Sequence, residues 1–236
     1  AEAYRSLRTA LVFSTSDGAP KVLHFTSSSP GEGKTTSSVS TAITFAQSGS
    51  KVLIIDADLR NPSLHKVFKL SDTNTEGLTN YLAGSAEPAS IAKPSQVKNL
   101  FVITSGPLPP NPVELLSSAK MMDLVRTASE RFDCIVIDGP PVIGLADALV
   151  LAKLARATIF TVDAGETRIG ALEGSMMRLR DANVRLLGAV LAKFGKAGSG
   201  YGYGYGYGYG YDYHYTYTYG SKHSGTTPEL PGEVAT

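Results

Sequence analysis

Two hydrophobic patterns alternate along most of the chain. Short, nearly continuous runs rich in valine, isoleucine and leucine predict strands at 22–27, 51–56, 100–104, 133–138, 157–162 and 186–191. Longer segments with helical spacing predict helices at 34–47, 113–131, 146–154 and 168–182. Strands that are apolar on both faces are typical of a buried parallel sheet, and their alternation with helices indicates parallel crossovers. The predicted fold class is therefore α/β, a three-layer sandwich around a mainly parallel sheet.

This alternation ends near residue 195, where glycine and tyrosine become the dominant residues. Tyrosine occupies every odd position of the next cluster, at Tyr201, Tyr203, Tyr205, Tyr207, Tyr209, Tyr211, Tyr213, Tyr215, Tyr217 and Tyr219. Glycine spacers leave the backbone free, and no aliphatic residue in this cluster can seed a core. The sequence therefore predicts a folded domain over 1–194 and a disordered tail over 195–236.

Composition narrows the range of functions. The 236 residues carry a net charge of +1, which gives no reason to expect a nucleic-acid partner. The single cysteine, Cys134, excludes an internal disulfide and fits a reducing compartment. The four histidines are too far apart for a zinc site. No apolar run reaches the roughly 18–20 residues of a membrane helix and no secretory signal is visible, so we expect this piece to be soluble.

A candidate phosphate-binding loop lies between the first predicted strand and the first predicted helix, where residues 25–36 read FTSSSPGEGKTT. The two glycines allow backbone N–H groups to face a polyphosphate at a helix N-terminus. Lys34 can neutralise the β- and γ-phosphates, and the Thr35 hydroxyl can bind Mg²⁺. Ser28 stands where the usual P-loop pattern begins with glycine, so the match is not literal. The predicted nucleotide-binding residues are Gly31, Glu32, Gly33, Lys34, Thr35 and Thr36.

Three aspartates follow predicted strands. Asp56 and Asp58 end the second strand, and Asp138 ends the fourth. Because the carboxyl ends of parallel strands open onto the ligand crevice, we expect all three side chains to converge beside the P-loop. Carboxylate oxygens are ligands that Mg²⁺ prefers. One aspartate at a strand end is often only a turn residue, but three in a chain with a P-loop favour a catalytic site.

Together these motifs resemble those of the bacterial tyrosine kinases (BY-kinases). The loop at 27–35, Asp-x-Asp-x-Arg at 56–60 and Ile-x-Ile-Asp-x-x-Pro at 135–141 all fit. So do RNPSLH at 60–65, GPLPPNPVELL at 106–116 and the Glu-x-x-Arg-x-x-Arg element at 2–8. The resemblance covers roughly residues 1–194 and implies a P-loop NTPase fold of the partitioning-ATPase-like subclass; the tyrosine-rich tail is the family's other hallmark.

The resemblance implies an ATP- and Mg²⁺-dependent kinase that phosphorylates its own tyrosine cluster. It places Lys34 on the phosphates, Thr35, Asp56 and Asp138 around Mg²⁺, and Asp56 with Asp58 beside the incoming tyrosine. An aspartate with a pKa near ~4 cannot remove a proton from a phenol with a pKa near ~10 in the ground state. We therefore expect Asp56 to orient the hydroxyl and to accept its proton late in a loose transition state.

The resemblance also implies partners. Glu2, Arg5 and Arg8 share one sector of a helix, which is usually a solvated charged stripe. In BY-kinases this element mediates a ring-like homo-oligomer in which one tail enters the next subunit's site. The expected setting is exopolysaccharide or capsule polymerisation and export at the cytoplasmic side of the bacterial inner membrane. The expected partners there are a transmembrane activator domain or chain, protein tyrosine substrates and an opposing tyrosine phosphatase.

Two alternatives remain open on the sequence. One is a switch ATPase of the partitioning or septum-positioning type, but such proteins carry an additional lysine where this loop has Ser29. The other is a non-catalytic scaffold with a cohesive tail, although such a protein has no physical need for the intact lysine, threonine and aspartates. The chain also differs from the family pattern at Ala192, where asparagine often lies near the adenine, and at Asp163, where a basic residue is common.

Overall fold

The computed structural model describes residues 2–70 and 74–194. The strands in these residues are β1 (Val22–Ser27), β2 (Val52–Asp56), β3 (Ala92–Pro94), β4 (Leu100–Ile103), β5 (Cys134–Asp138), β6 (Ala157–Asp163) and β7 (Leu186–Ala192). The helices are α1 (Glu2–Val12), α2 (Lys34–Gln47), α3 (Leu64–Val67), α4 (Leu78–Ala83), α5 (Pro88–Ile91), α6 (Pro112–Leu116), α7 (Ala119–Arg131), α8 (Asp147–Leu154) and α9 (Ile169–Asp181).

One sheet organises these elements, with the strand order β3-β4-β2-β5-β1-β6-β7. Neighbouring strands are parallel except for the pair β3–β4, which is antiparallel. All residues of β1, β2 and β5 are buried, as a central parallel sheet covered on both faces requires. The predicted α/β class with a mainly parallel sheet is confirmed.

Successive strand residues supply the two faces of the sheet. On β2, Leu53 and Ile55 pack with residues of α4 and α7, whereas Val52 and Ile54 pack with residues of α1 and α2. This division follows from the two-residue period of a strand. The two helical layers and the sheet between them form the expected three-layer sandwich.

The parallel register places the acidic strand ends side by side. Asp56 of β2 is the direct partner of Asp138 of β5, and Phe25 of β1 pairs with Asp138 from the other side. The segment that follows β1 leads into α2 at the same edge. The loop predicted to bind phosphate and the carboxylates predicted to bind a metal therefore lie at one end of the sheet.

The predicted boundaries either match the observed ones or differ from them by a single residue. The larger error is the helix predicted over 113–131, which is two helices, α6 and α7. They are separated at Ser117 and Ser118, where the Ser118 hydroxyl accepts a hydrogen bond from the Met121 N–H at 3.4 Å and caps α7. A serine in this role satisfies a free N–H at the start of a helix and favours a new start over continuation.

The short elements α3, α4, α5 and β3 were not predicted from the sequence. Each contains six or fewer residues, too few to establish a hydrophobic period. Strand β7 lies at one edge of the sheet, and its residues Leu186 and Leu191 are exposed. Within the described residues, no helix is both long and apolar enough to span a bilayer. The predicted tail over 195–236, with its ten tyrosines, lies outside the described residues.

Candidate active site at the carboxyl end of the sheet

The P-loop joins β1 to α2 and depends on two left-handed glycines. The φ angles of Gly31 and Gly33 are 83° and 92°, in a region that L-residues with side chains rarely adopt. Gly33 directly precedes α2, and a Cβ atom at that position would lie 3.2 Å from the Cβ of Ala192 at the end of β7. Both the left-handed φ angle and the close approach to Ala192 therefore favour glycine at position 33.

Lys34 and Thr35 open α2 and face the acidic strand ends. The Lys34 Nζ lies 3.8 Å from Asp58 Oδ2, and both side chains are about nine-tenths buried. The Thr35 hydroxyl donates to Asp138 Oδ2 at 2.7 Å. Asp58 Oδ1 accepts the Asn61 N–H at 3.0 Å, which fixes the segment after β2. The sequence-predicted lysine, threonine and aspartates thus meet at one place.

Asp56 is held by the backbone that follows it. Its Oδ2 accepts the N–H groups of Ser63 at 3.0 Å and Leu64 at 2.8 Å. Burial, followed by the charge of Asp138, raises the pKa of Asp56 to about 8, and these two N–H groups only partly oppose the rise. The pKa of this carboxyl group therefore lies well above the value near ~4 expected for an ordinary aspartate.

The pKa of Asp138 is perturbed in the same direction. Burial raises the pKa of its carboxyl group to about 6, although the Thr35 hydroxyl and the charge of Lys34 both lower it. The Oδ1 atoms of Asp56 and Asp138 are both buried and make no hydrogen bond within the described part of the chain. Buried carboxylate oxygens without partners are costly unless a ligand satisfies them.

These atoms fit a Mg²⁺ ion. Two unpaired carboxylate oxygens and the Thr35 hydroxyl offer hard oxygen ligands, which Mg²⁺ completes with phosphate oxygens and water. A cluster of three or more histidine, cysteine or acidic side chains suited to a metal does not occur in the described ranges. Two carboxylates and a hydroxyl match the few protein ligands that usually hold Mg²⁺ beside substrate phosphates.

A cleft of about 330 Å³ lies over this constellation. Of the predicted nucleotide-binding residues, Gly31, Gly33, Lys34, Thr35 and Thr36 line it. Glu32 does not, because its buried side chain turns to Ser29 and Thr167. Pro141 and Leu145, from the segment after β5, form part of the cleft lining.

Several residues at the site were not assigned a role from the sequence. The Ser63 hydroxyl donates to the Thr35 hydroxyl at 3.3 Å, and the Thr35 hydroxyl in turn donates to Asp138. The Arg60 guanidinium donates to both oxygens of the buried Asp147, at 2.8 and 3.2 Å, and lines the cleft. The Asn-Pro-Ser stretch after Asp-x-Asp-x-Arg marked this region, but the partner Asp147 is too distant in sequence to be identified from it.

The two positions that depart from the family pattern, Asp163 and Ala192, are paired neighbours at the ends of β6 and β7. Lys193 forms an ion pair with Asp163 and donates to the Gly31 carbonyl oxygen at 2.8 Å. The ion pair lowers the pKa of Asp163. Neither contact was predicted from the sequence.

The predicted oligomerisation residues Glu2, Arg5 and Arg8 lie on α1. Arg5 Nη1 is 3.2 Å from Glu2 Oε2, with both side chains mostly exposed. Arg8 is half-buried, and its Nε has no hydrogen-bond partner among the described residues. Helix α1 packs through Leu11 onto the face of the sheet covered by α2.

The loop, its lysine and threonine, and the acidic strand ends define a P-loop nucleotide-binding domain. In agreement, residues 20–177 match the family model described as an AAA domain. The chain is also similar to the septum site-determining protein MinD complexed with Mg-ADP from Pyrococcus horikoshii. That match has a TM-score of 0.63 and 24% identity, and it covers 75% of this chain and 72% of that one. At this identity it shows the fold alone.

Closer relatives narrow the class. The chain is 40% identical over 190 residues to the tyrosine-protein kinase YwqD of Bacillus subtilis, covering 80% of this chain and 79% of that one. Its structure matches the kinase domain of the Escherichia coli tyrosine kinase ETK with a TM-score of 0.77 and 36% identity, covering 86% of this chain and 80% of that one. The chain belongs to the bacterial tyrosine-protein kinase family, and protein-tyrosine kinase is its enzymatic class.

Proposed function

We propose that this kinase uses Mg²⁺-ATP to phosphorylate the tyrosine cluster at 201–219 of its own tail, between subunits. The observation that carries the nucleotide part is the pair of unpaired buried oxygens, Asp56 Oδ1 and Asp138 Oδ1, beside the Thr35 hydroxyl and the P-loop. These two oxygens would hold the Mg²⁺ of a bound polyphosphate, and its charge would offset the like charge of the two aspartates. Bound Mg²⁺ supplies neutralisation of the charge that develops on the transferred phosphoryl group.

The protein's own residues then have separable roles. Lys34 neutralises the β- and γ-phosphates, and the left-handed glycines aim backbone N–H groups at them. Asp58 lies against the Lys34 ammonium and holds it in place. Asp56 orients the hydroxyl of the incoming tyrosine and accepts its proton late in a loose transition state. Positioning and charge neutralisation are most of what a loose phosphoryl-transfer transition state needs.

The tail supports the choice of acceptor. Ten tyrosines with glycine on most intervening positions offer extended acceptors with little steric cost. Each phosphate adds about −1.5 to −2 charges, so full modification would add roughly −15 to −20. That charge would overwhelm a chain whose net charge is +1 and would release the tail from a partner that held it. Phosphorylation of the tail would therefore work as an electrostatic switch.

Labelled ATP tests the activity and its acceptor. Incubation of the full chain with γ-labelled ATP and Mg²⁺ should yield phosphotyrosine, whereas Lys34→Met and Asp56→Asn should yield none while remaining folded. The exposed Lys120→Met variant is a matched control and should retain wild-type labelling. Undiminished labelling of either site variant would overturn the assignment. ATP hydrolysis without phosphotyrosine would instead favour a switch ATPase.

A mixing experiment tests transfer between subunits. One chain carries Asp56→Asn and an intact tail, and the other has an intact site and phenylalanine at all ten tail tyrosines. Label on the Asp56→Asn tail would require a donor site in another chain. If the mixture stays unlabelled while the wild type labels itself, the reaction occurs within one chain.

We also propose that the charged face of α1 assembles the subunits into a ring-like homo-oligomer. Arg5 is exposed and Arg8 is half-buried, so part of each side chain is accessible to a neighbouring chain. Arg5→Ala with Arg8→Ala should shift the protein toward monomer in sedimentation velocity. The exposed double variant Arg126→Ala with Lys120→Ala on α7 is the control. An unchanged sedimentation coefficient for the α1 variant would contradict the proposal.

The cellular setting follows from the family resemblance. We propose action on the cytoplasmic side of the bacterial inner membrane, in exopolysaccharide or capsule polymerisation and export, with a transmembrane activator domain or chain. Other tyrosine proteins would be further substrates, and a tyrosine phosphatase would reverse the reaction. Co-purification of the kinase with membranes only when the activator is present would support this arrangement; equal recovery without it would contradict it.

A further inference from the structure

An acidic side chain inside the phosphate-binding loop has no evident use in binding phosphate. Glu32 lies between the two left-handed glycines and is only 5% exposed. A carboxylate near a polyphosphate repels it, and burial weakens the screening by water. The role of Glu32 must therefore come from what its side chain contacts.

Both carboxylate oxygens of Glu32 accept hydrogen bonds. Oε2 accepts the N–H of Ser29 at 3.0 Å, across the turn of the same loop. Oε1 accepts the hydroxyl of Thr167 at 2.7 Å, from the segment between β6 and α9. Two donors facing two oxygens require a carboxylate, because an amide would turn its NH₂ group toward one of them. The chemistry of the site thus selects glutamate over glutamine.

Thr167 is itself fixed at the end of the sheet. Its hydroxyl oxygen accepts the N–H of Asp163 at 2.9 Å, and its own N–H donates to the Asp163 carbonyl oxygen at 3.1 Å. A second tie reaches the same loop, because Lys193 bonds the Gly31 carbonyl oxygen and the Asp163 carboxylate. The P-loop is therefore joined on this side to the ends of β6 and β7.

We propose that Glu32 and Thr167 form a clasp that holds the P-loop in its phosphate-binding shape before the nucleotide arrives. Glu32 is then a positioning residue for the kinase reaction, and the inference rests on the nucleotide binding proposed above. A loop that is already ordered loses less conformational entropy on binding, so its ligand binds more tightly. The clasp more than offsets the repulsion between its carboxylate and the phosphates.

The sign of one substitution separates this clasp from simple electrostatics. Glu32→Gln removes a negative charge near the phosphates, so electrostatics alone predicts tighter binding of ADP. The clasp predicts weaker binding, by about tenfold, because one charge-assisted hydrogen bond is lost. Glu173→Gln, an exposed charge removal on α9, is the matched control and should bind as the wild type does.

The partner side of the clasp offers a conservative pair. Thr167→Val keeps the shape and removes the hydroxyl, so it should weaken ADP binding about tenfold. Thr167→Ser keeps the hydroxyl and should restore affinity. Either single change opens the clasp. The double variant Glu32→Gln with Thr167→Val should therefore bind ADP about as well as the weaker-binding single variant, a non-additivity expected of contacting residues.

The measurement is binding of a fluorescent N-methylanthraniloyl-ADP with Mg²⁺ to the full chain, alongside melting temperature and phosphotyrosine formation. Weaker binding by Thr167→Val, rescued by serine, supports the clasp. Wild-type affinity in Thr167→Val, or tighter binding by Glu32→Gln, overturns it. A lower melting temperature with unchanged affinity also overturns it, because the contact would then only support the fold. A wild-type chain that binds no nucleotide would instead overturn the proposed function itself.

Discussion

Replacing Asp56 with asparagine should stabilise the nucleotide-free protein while abolishing its kinase activity. Asp56 is fully buried, and its Oδ1 makes no hydrogen bond within the described residues. Burial and the neighbouring Asp138 raise its pKa to about 8. Near neutral pH the unfolded chain ionises this carboxyl group freely while the buried one tends to stay protonated, so the side chain costs the nucleotide-free fold stability.

The size of the gain follows from linkage. The pKa of Asp56 rises from 3.8 to about 8, and each unit corresponds to 1.36 kcal/mol, which sets an upper limit of about 5 kcal/mol at pH 8. Relaxation and water penetration reduce such penalties in folded proteins. The asparagine oxygen still accepts the Ser63 and Leu64 N–H groups. We therefore expect a gain of about 2–3 kcal/mol, or a melting temperature higher by roughly 4–12 °C.

The gain should depend on pH in a defined direction. The folded-state pKa of Asp56 lies above the unfolded value, so protonated Asp56 supports the fold. That contribution is complete below about pH 3.8 and is lost as the pH rises to about 8. Asp56→Asn should therefore differ little from wild type near pH 4 and should gain most at pH 8.

The assay is urea unfolding in EDTA at pH 5, 6.5 and 8, with the exposed Asp123→Asn as control. With excess Mg²⁺ and ADP the order should reverse, because the wild type binds the ligand more tightly. If Asp56→Asn unfolds at or below the wild-type urea concentration in EDTA at pH 8, the account of the buried charge is refuted. Asp123→Asn should remain within about 0.5 kcal/mol of the wild type at every pH.

Three further predictions concern side chains around the site. Burial, and then the charge of Lys34, lowers the pKa of His24 to about 3, so His24 stabilises the fold above pH 6.5 and this support is lost as the pH falls toward 3. The variant His24→Gln lacks this loss, so its unfolding free energy relative to wild type should rise by about 1.4 kcal/mol for each unit that the pH falls from 6 to 4; a constant difference would contradict this. Gly139→Ala places a Cβ 2.2 Å from His24 Nε2 and should cost about 1–3 kcal/mol in urea unfolding, relieved when combined with His24→Ala; equal losses in the single and double variants would argue against the clash. Arg60→Lys loses the bidentate hydrogen bonds to buried Asp147 and should lower the free energy of unfolding by about 1–3 kcal/mol in the same assay. A wild-type urea midpoint would show that these hydrogen bonds do not stabilise the fold.

The location of the site could be predicted from the sequence because it depends on strand ends. The runs ending at Asp56 and Asp138 are apolar enough to identify as buried strands, and parallel strands deliver their carboxyl ends to one edge. The P-loop could be recognised because its glycines and lysine are adjacent in sequence. Short-range patterns combined with one topological rule were sufficient for this much.

The contacts that tune the site could not be predicted in this way. Glu32 bonds Thr167, and Arg60 bonds Asp147, across 135 and 87 positions of sequence. Nothing local in a threonine or an aspartate marks such a partner. The raised pKa of Asp56 likewise depends on burial and on a neighbouring strand, which are properties of the assembled sheet.

The side-by-side pairing of Asp56 and Asp138 has a consequence for how this protein can change during evolution. Side chains alternate along a strand. Inserting or deleting one residue within β2 or β5 would therefore place an aspartate side chain in the apolar interior and an aliphatic side chain at the edge of the sheet. Lengthening the surface segments between these strands and their helices leaves the pairing untouched. The residue counts of the two central strands, by contrast, are held fixed by the chemistry at their tips.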